Sequence, residues 1–415
     1  MNDLFVIAGI RTPFCRMGTA FDSLAADDLG RHATTALLLR TGIDPGEIDE
    51  VIIGCVAQPA EAANLARVIA LRSGIPKKVP AVTVHRNCAS GMEAITTAHQ
   101  RLCAGQGELF LVGGAESMSR IPFFYPHATA AKFATLGKAK SIAQKIAALA
   151  NFRPRDFKPR IGLQLGLTDS FSGLIMGDTA EILAREFQIS REAQDQFAAN
   201  SHRKALAATD QLAREIAPVH VGGKAIDRDN GVREDSTPEK LAKLKPIFDR
   251  QTGTVTAGNS SQITDGAVSL LVGSERAAAR LGIEPLGRVT SYAYSGCDPD
   301  RMGLGPVHAI ARCGRSPADA DFVEINEAFA AQVLAVLAVL RDPSRCGLSL
   351  APTEIPPEKI NRRGGAIALG HPVGASGARL VLTALDQLRE TGGKTALTTL
   401  CVGGGQGAAL WLERP

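Results

Sequence analysis

The sequence lacks several features that mark particular classes of protein. Its 46 basic and 42 acidic side chains nearly balance, which excludes the strong positive charge typical of general nucleic-acid binders. No apolar run approaches the roughly 20 residues of a membrane span. No leader or transit pattern precedes the first predicted strand, residues 4–8, and residues 412–415 are not a peroxisomal signal of the S-K-L type. We therefore expect a cytoplasmic protein.

The eight cysteines are also without any C-x-x-C spacing, the pattern typical of zinc sites and dithiol redox motifs. A chain of 415 residues can bury two or three cores, so it has no need of a disulfide framework. We expect free thiols in a reducing compartment and no bound zinc.

Short β-branched runs alternate with longer segments of helical period in the first part of the chain. Strand-like residues 51–53, 81–84 and 109–112 are separated by helix-like residues 60–73 and 89–103. This alternation favours a layered α/β fold with buried strands.

A second part of the chain repeats this order. Ala-Ser-Gly occurs at residues 89–91 and again at 375–377, an offset of 286 residues, and the same offset pairs Leu102 with Leu388. The repeat predicts two similar α/β halves whose corresponding loops face one another across a single site.

A charged, helix-patterned segment, residues 119–252, separates the halves and is predicted to be an insertion. We therefore divide the chain into a first half (1–118 and 253–274), the insertion, and a second half (275–415). Residues 120–160 carry nine basic side chains against the single acid Asp156. The pattern is that of a solvated face packed on the rest of the protein, or of a basic amphipathic helix on an anionic membrane or on a partner.

Cys88 lies between a predicted strand and a predicted helix. Unpaired N–H groups and the helix dipole at such a position favour the thiolate, so we expect a lowered pKa and a nucleophilic sulfur. A lone cysteine is otherwise more often a small buried hydrophobe.

His371 stands in a glycine-rich loop, residues 364–377, that is expected to expose its imidazole. Imidazole is the usual base for a cysteine nucleophile. A second cysteine, Cys401, follows a predicted strand and precedes Gly403, Gly404 and Gly405. Glycines have no side chain to cover the backbone, so their N–H groups could hold an oxyanion.

These segments resemble the thiolase family over nearly the whole chain. The motifs that carry the resemblance, in family order, lie at residues 9–14, 82–94, 113–119, 176–181, 256–261, 302–306, 326–329, 370–372 and 401–407. The resemblance implies the thiolase-like fold, with two βαβαβαββ halves in a layered α/β/α/β/α sandwich.

The resemblance also implies a role for each site residue. Cys88 would take the acyl group, His371 would activate its thiol, and Cys401 would be the acid and base at the α-carbon. Asn326 would help to hold the enolate oxygen, and the N–H groups of Cys88 and Gly403 would form an oxyanion hole.

For coenzyme A, which is a substrate here, the resemblance points to Ser261, Met176 and Arg233. It implies no permanently bound cofactor and no metal.

A finer resemblance is to the β subunit of the fatty-acid oxidation trifunctional complex, through residues 11–14, 59–64 and 253–256 and the basic segment 120–160. It implies thiolysis of 3-ketoacyl-CoA in β-oxidation, a hydratase/dehydrogenase partner subunit and a homodimer or homotetramer. Asn326 departs from that branch, which usually has His at this position, and His85 stands where the broader family commonly has Asn. A biosynthetic acetoacetyl-CoA thiolase is therefore the alternative. The other rivals are a ketoacyl-synthase-like condensing enzyme, which has no use for Cys401, and a non-catalytic relative that binds CoA or lipid.

Overall fold

The computed structural model describes residues 3–415, and it divides into two compact units. One, here called the core unit, comprises the chain up to Arg120 together with Asp169–Pro415, and the other, here called the insert unit, is Ile121–Thr168. Within residues 3–415, no helix has the length and apolar character needed to cross a membrane. The insert unit lies inside the predicted insertion, while the predicted three-part division of the chain stays a prediction.

The core unit opens with alternating strands and helices, as the sequence pattern indicates. These are β1 (Leu4–Arg11), β2 (Cys15–Arg16), α1 (Ala26–Thr41), β3 (Glu50–Gly54), α2 (Leu65–Arg72), β4 (Ala81–Val84), α3 (Ser90–Cys103) and β5 (Leu109–Glu116). Strand β5 is buried along its whole length, which explains why residues 109–115 form a continuous apolar run instead of an alternating one.

The insert unit is small and mostly helical. Its elements are β6 (Phe123–Phe124), α4 (His127–Lys138), α5 (Ile142–Ala150), β7 (Arg160–Ile161) and α6 (Gly162–Gly166). Strands β6 and β7 pair antiparallel, and the Ser141 side chain caps α5 by accepting a hydrogen bond from the Gln144 N–H.

The core unit continues with further helices and a short hairpin. These elements are α7 (Met176–Glu186), α8 (Arg191–Ala207), α9 (Thr209–Arg214), β8 (Val219–Val221), β9 (Lys224–Ile226) and α10 (Pro238–Leu241). The hairpin strands β8 and β9 pair only with each other.

The remaining elements complete the first half and build the second. They are β10 (Thr264–Gly273), α11 (Glu275–Leu281), β11 (Gly287–Gly296), α12 (Gly305–Cys313), β12 (Phe322–Ile325), α13 (Ala330–Arg341), α14 (Ala366–Leu369), α15 (Val373–Thr391), β13 (Thr395–Val402) and β14 (Gln406–Glu413). The first half therefore reads βαβαβαββ, as expected, from β1 to β5 and then β10.

Strand pairing makes the internal repeat visible. The strands follow one another in the order β12-β13-β14-β11-β1-β10-β5-β3-β4, with β2 beside β10. From the centre outward, β1-β10-β5-β3 has the same sequence of antiparallel and parallel pairs as β11-β14-β13-β12. The position of β4 is represented in the second half by a single bridge, Val323 with Ile360, so the third strand of that half is reduced.

Three hydrophobic clusters define the layers. Helices α1 and α2 pack on one face of the first-half strands, α12 and α13 pack on the outer face of the second-half strands, and α3 and α15 lie between the two sets. The predicted α/β/α/β/α sandwich of the thiolase-like fold is confirmed.

Helices α3 and α15 cross at their first turns, and glycine permits the close approach. A Cβ on Gly91 would lie 2.7 Å from the Ala378 nitrogen, and a Cβ on Gly377 would lie 2.8 Å from the Met92 nitrogen. Gly91 and Gly377 are the equivalent glycines of the two Ala-Ser-Gly motifs. The crossing therefore brings the loops that precede the two helices, with Cys88 and His371, to the same place.

Candidate active site

Cys88 lies in the turn between β4 and α3, where its side chain is half-buried. Burial raises the pKa of its thiol, and the N–H groups of Gly403 and of Cys88 itself, both directed at the sulfur, only partly oppose this rise. The expectation of a lowered pKa is therefore wrong for the free protein, because the loss of hydration outweighs the helix start. The thiol needs a base.

The N–H groups of Gly403 and of Cys88 itself lie near enough to the Cys88 sulfur to lower the pKa of its thiol. Gly403 lies in the turn that joins β13 to β14, on the opposite half of the core unit from Cys88. Two convergent N–H donors beside a nucleophile can stabilise the oxygen anion that forms when an acyl carbonyl on that nucleophile is attacked.

Cys401 is buried near the end of β13, close enough to Cys88 for the two thiols to interact electrostatically. Burial and then the neighbouring Cys88 raise the pKa of Cys401 well above its ordinary value. A neutral thiol beside the nucleophile can give a proton to a developing carbanion, and its strongly basic thiolate can remove that proton in the reverse reaction.

His371 is 8% exposed, and hydrogen bonds fix both its backbone and its ring. Its backbone N–H donates to the Gln262 carbonyl (3.1 Å), and its Nδ1 lies 2.6 Å from the Ser376 hydroxyl, which donates its one proton to the Pro372 carbonyl (3.0 Å). Because that proton is used, the Nδ1–H of His371 is the donor to Ser376, and Nε2 keeps a lone pair.

Burial, followed by the charge of Arg379, lowers the pKa of His371 to about 4. The imidazole is therefore neutral at pH 7 and able to accept a proton through Nε2.

Asn326 follows β12, and its backbone N–H donates to the Thr399 carbonyl of β13 (2.9 Å). The side chain is fully buried, yet neither its Nδ2 nor its Oδ1 has a hydrogen-bond partner among residues 3–415. A buried amide left without partners is costly unless a water or a ligand group completes it.

The three residues predicted to contact coenzyme A differ in their position and exposure. A Cβ on Gly403 would lie 3.4 Å from the Met176 Sδ, so Met176 borders the oxyanion donors. Ser261 is half-buried and its N–H donates to the Ala328 carbonyl (2.9 Å) in the Asn326–Phe329 motif, whereas Arg233 is exposed. All three roles stay predictions.

Several supporting residues escaped the sequence reading. Glu116 is fully buried and accepts from the N–H groups of Val56, Ala57 and Gly374 (2.8–3.0 Å), which joins the two halves beside Cys88. Burial raises its pKa. Its position at the end of a strand, two residues after a Gly-Gly pair, was the only local signal.

Ser376 and Asn87 were overlooked for a different reason. Ser376 stands in the repeated Ala-Ser-Gly motif, and Asn87 immediately precedes the nucleophile, so both lay in segments already singled out. Their hydrogen bonds to His371 and to Gly403 depend on contacts that a sequence does not show.

No group of three or more His, Cys, Asp or Glu side chains within residues 3–415 could hold a metal ion.

Two family models match the chain. The thiolase N-terminal domain matches residues 4–276, and the thiolase C-terminal domain matches residues 283–414. The first match ends at residue 276, inside α11, and the second begins at residue 283, just before β11.

Relatives match over nearly the whole length. The chain is 40% identical to the 3-ketoacyl-CoA thiolase of Pectobacterium atrosepticum, over 98% of this chain and 95% of the relative. It is 41% identical to the "probable acetyl-CoA acyltransferase" of Staphylococcus aureus, over 99% and 98%.

Solved structures agree. Human mitochondrial 3-ketoacyl-CoA thiolase in complex with CoA superposes with a TM-score of 0.86 at 38% identity, covering 100% of this chain and 98% of that one. The acetyl-CoA acetyltransferase of Bacillus anthracis superposes with the same TM-score at 35% identity, covering 100% and 99%.

Proposed function

The chain belongs to the thiolase family, and from this premise we propose that it cleaves 3-ketoacyl-CoA with coenzyme A through an acyl group carried on Cys88. The observation that carries the proposal is the convergence of two thiols, Cys88 and Cys401, with the N–H of Gly403 in one buried site.

In the first step, the neutral His371 takes the proton of Cys88 and the sulfur attacks the 3-keto carbon. The bond between C2 and C3 breaks, and its electron pair passes to the acetyl-CoA fragment as an enolate. The Cys401 thiol gives a proton to C2, and acetyl-CoA leaves.

Asn326 can stabilise the enolate that forms in this step. Its unpartnered buried amide can hold a water or the enolate oxygen directly, together with a protonated His371. Within residues 3–415, only Gln332 also has both amide atoms buried without a partner, and it lies on α13, outside the motifs of the site.

In the second step, the Cys401 thiolate takes the thiol proton of coenzyme A, and the coenzyme A sulfur attacks the acyl carbon on Cys88. The carbonyl electron pair moves onto oxygen, where the N–H groups of Cys88 and Gly403 stabilise it. The pair returns as the Cys88 sulfur is expelled, and that sulfur takes back its proton from His371. Met176, Ser261 and Arg233 are the residues that we propose for binding coenzyme A.

We place the reaction in the degradative direction, in fatty-acid β-oxidation. The supporting observation is that relatives over the full length carry the names 3-ketoacyl-CoA thiolase and acetyl-CoA acyltransferase. The biosynthetic alternative uses the same residues in reverse, and kcat/KM for thiolysis across acyl chain lengths separates the two: activity confined to acetoacetyl-CoA would favour the alternative.

Two serine substitutions test the chemistry. Cys88→Ser should abolish both thiolysis and condensation, because the nucleophile is lost. Cys401→Ser should still acquire a labelled acetyl group from acetyl-CoA on Cys88 but should lose carbon–carbon bond chemistry. Near-normal turnover by Cys88→Ser would contradict the proposed function.

We also propose that the chain assembles as a homodimer or homotetramer. Strand β4 is the end of the strand order and its residues are only half-buried, so one backbone edge is open to pairing with a second copy. Light scattering after gel filtration tests this, and a monomer at micromolar concentration would contradict it.

The insert unit presents apolar side chains beside basic ones. On α5, Ile142, Ile146 and Leu149 are 79%, 62% and 55% exposed, at the three- and four-residue spacing of one helical face. Lys138, Lys140 and Lys145 are exposed along the same stretch. We propose that this face binds an anionic membrane surface, because apolar insertion and phosphate attraction then act together.

Vesicle sedimentation tests the membrane contact. Binding to vesicles of phosphatidylglycerol and phosphatidylcholine should exceed binding to phosphatidylcholine alone, and should fall in the triple variant with Lys138, Lys140 and Lys145 changed to Gln. A control of equal charge change replaces Lys77, Lys224 and Lys394, which are exposed elsewhere. Equal binding by the two triple variants would contradict the proposal, and binding only to a hydratase/dehydrogenase subunit would replace the membrane by that partner.

A further inference from the structure

Asn87, the residue before the nucleophile, has an uncommon backbone conformation. Its φ is +42°, and within residues 3–415 only Gln188 and Asn361 share a positive φ among residues other than glycine. The left-handed region is costly for most side chains, and asparagine is among the few that tolerate it.

This conformation aims the Asn87 amide across the site. Its Nδ2 donates to the Gly403 carbonyl over 2.7 Å, a link between residues 316 positions apart. The Asn87 carbonyl meanwhile accepts from the Ser90 N–H (3.0 Å) and the Ser90 hydroxyl (2.7 Å), so the turn itself is fixed at the start of α3.

Gly403 depends on this hydrogen bond because its own loop consists of glycines, which make no side-chain contacts. Gly404 and Gly405 follow it with φ values of +84° and +73°, and none of the three has a side chain to pack. On the far side the loop is held where the Cys297 N–H donates to the Gly405 carbonyl (2.7 Å). On the side of the nucleophile, the hydrogen bond from Asn87 holds it.

We propose that Asn87 is a positioning residue that sets the distance between the two N–H groups of the oxyanion hole. One N–H belongs to Cys88, the next residue along the chain, and the other to Gly403, whose carbonyl Asn87 holds. One residue thereby controls both donors: its backbone turn orients the first and its side chain fixes the second. The proposal rests on the proposed function of Cys88 as the acyl carrier.

The identity of the side chain follows from the geometry. A donor is needed because its partner is a carbonyl oxygen, so aspartate, which can only accept when ionised, would repel Gly403. Glycine would keep the positive φ but would lose the donor.

The experiment compares N87G and N87D with the wild-type enzyme by transient kinetics of thiolysis. N87G should lower the rate of acyl transfer from Cys88 to coenzyme A about 10-fold, the effect of one hydrogen bond worth about 1.4 kcal/mol, with KM for the 3-ketoacyl-CoA within about two-fold. N87D should lower the rate further.

Alkylation of Cys88 by iodoacetamide in the free enzyme distinguishes positioning from general disruption. N87G should lose less of the alkylation rate than of the acyl-transfer rate, because alkylation uses the Gly403 N–H only to stabilise the thiolate and forms no oxyanion, whereas a distorted nucleophile turn would lower both rates equally. The matched control is Q188G, which changes an exposed residue of positive φ outside the site and should leave every rate unchanged.

Two results would overturn the inference: acyl transfer by N87G within two-fold of wild type, or a parallel loss of alkylation. Both leave the proposed function intact if Cys88→Ser is inactive. An active Cys88→Ser would instead remove the proposed function itself.

Discussion

The turn that carries Cys88 and the turn that carries His371 are equivalent parts of two repeated halves. The offset of 286 residues superposes Ser90 on Ser376 and also superposes His85 on His371. Each serine hydroxyl bonds back into its own turn, to the Asn87 carbonyl in one half and the Pro372 carbonyl in the other. The same backbone device thus opens both helices.

The chemistry of the two turns differs nevertheless. His371 is buried and hydrogen-bonded to Ser376, while His85 is exposed. The position of Cys88 is taken in the second half by Gly374, and that of Cys401 in the first half by Ala115. One scaffold has therefore acquired complementary groups, so that the site is complete only where the two turns meet.

Replacing the two equivalent histidines should give the largest contrast. His371→Asn removes the base for Cys88, and general-base catalysis is worth about 10²–10⁴-fold, so kcat/KM for thiolysis should fall by that order. His85→Asn should change it less than about three-fold, within the effect of a weak exposed hydrogen bond. Equal losses in the two variants would show that position in the repeat, and not burial, determines the role.

Replacing the two equivalent serines should give a smaller contrast. Ser376→Ala removes the acceptor that orients the His371 Nδ1–H, and the loss of one such hydrogen bond should lower kcat about 10-fold. Ser90→Ala loosens the Asn87 turn and should show its main effect as a lower midpoint of thermal unfolding. If Ser376→Ala kept full kcat, the assignment of the proton to Nδ1 would be wrong.

The helix crossing can be broken from either side. Gly91→Ala and Gly377→Ala each push a methyl group to within 3 Å of the opposite backbone, so each should lower the free energy of unfolding by about 1–3 kcal/mol. Chemical denaturation measures this. Gly137→Ala, on α4 with nothing within 4 Å of its Cβ, is the matched control and should not destabilise the protein.

The smallest expected effect is on the acidic limb of the pH profile. A protonated imidazole cannot accept a proton, so the rate falls as pH falls through the pKa of His371, which burial lowers to about 4. Between pH 7 and pH 5 kcat/KM should therefore change little, whereas a histidine with an ordinary pKa would cause a loss of about 25-fold over the same range. A steep fall near pH 6.5 that reverses at pH 7 would contradict the lowered value.

Much of the fold followed from local pattern. The alternation of strand and helix patterns indicated a layered α/β protein, because the spacing of apolar residues along the chain differs between a buried strand and an amphipathic helix. The repeated Ala-Ser-Gly indicated its two halves. The reduced third strand of the second half was not foreseen, since a single bridge at Ile360 leaves no pattern in the sequence.

The sequence by itself determined which groups the site contains: two thiols, an imidazole and a run of glycines at recognisable positions. Only the tertiary structure decided what those groups do. The pKa of Cys88 is raised and that of His371 is lowered because both groups lose hydration in the folded protein, and Asn87 reaches Gly403 in the turn between β13 and β14. Hydration and partners depend on contacts between residues some 300 positions apart, and no local pattern encodes them.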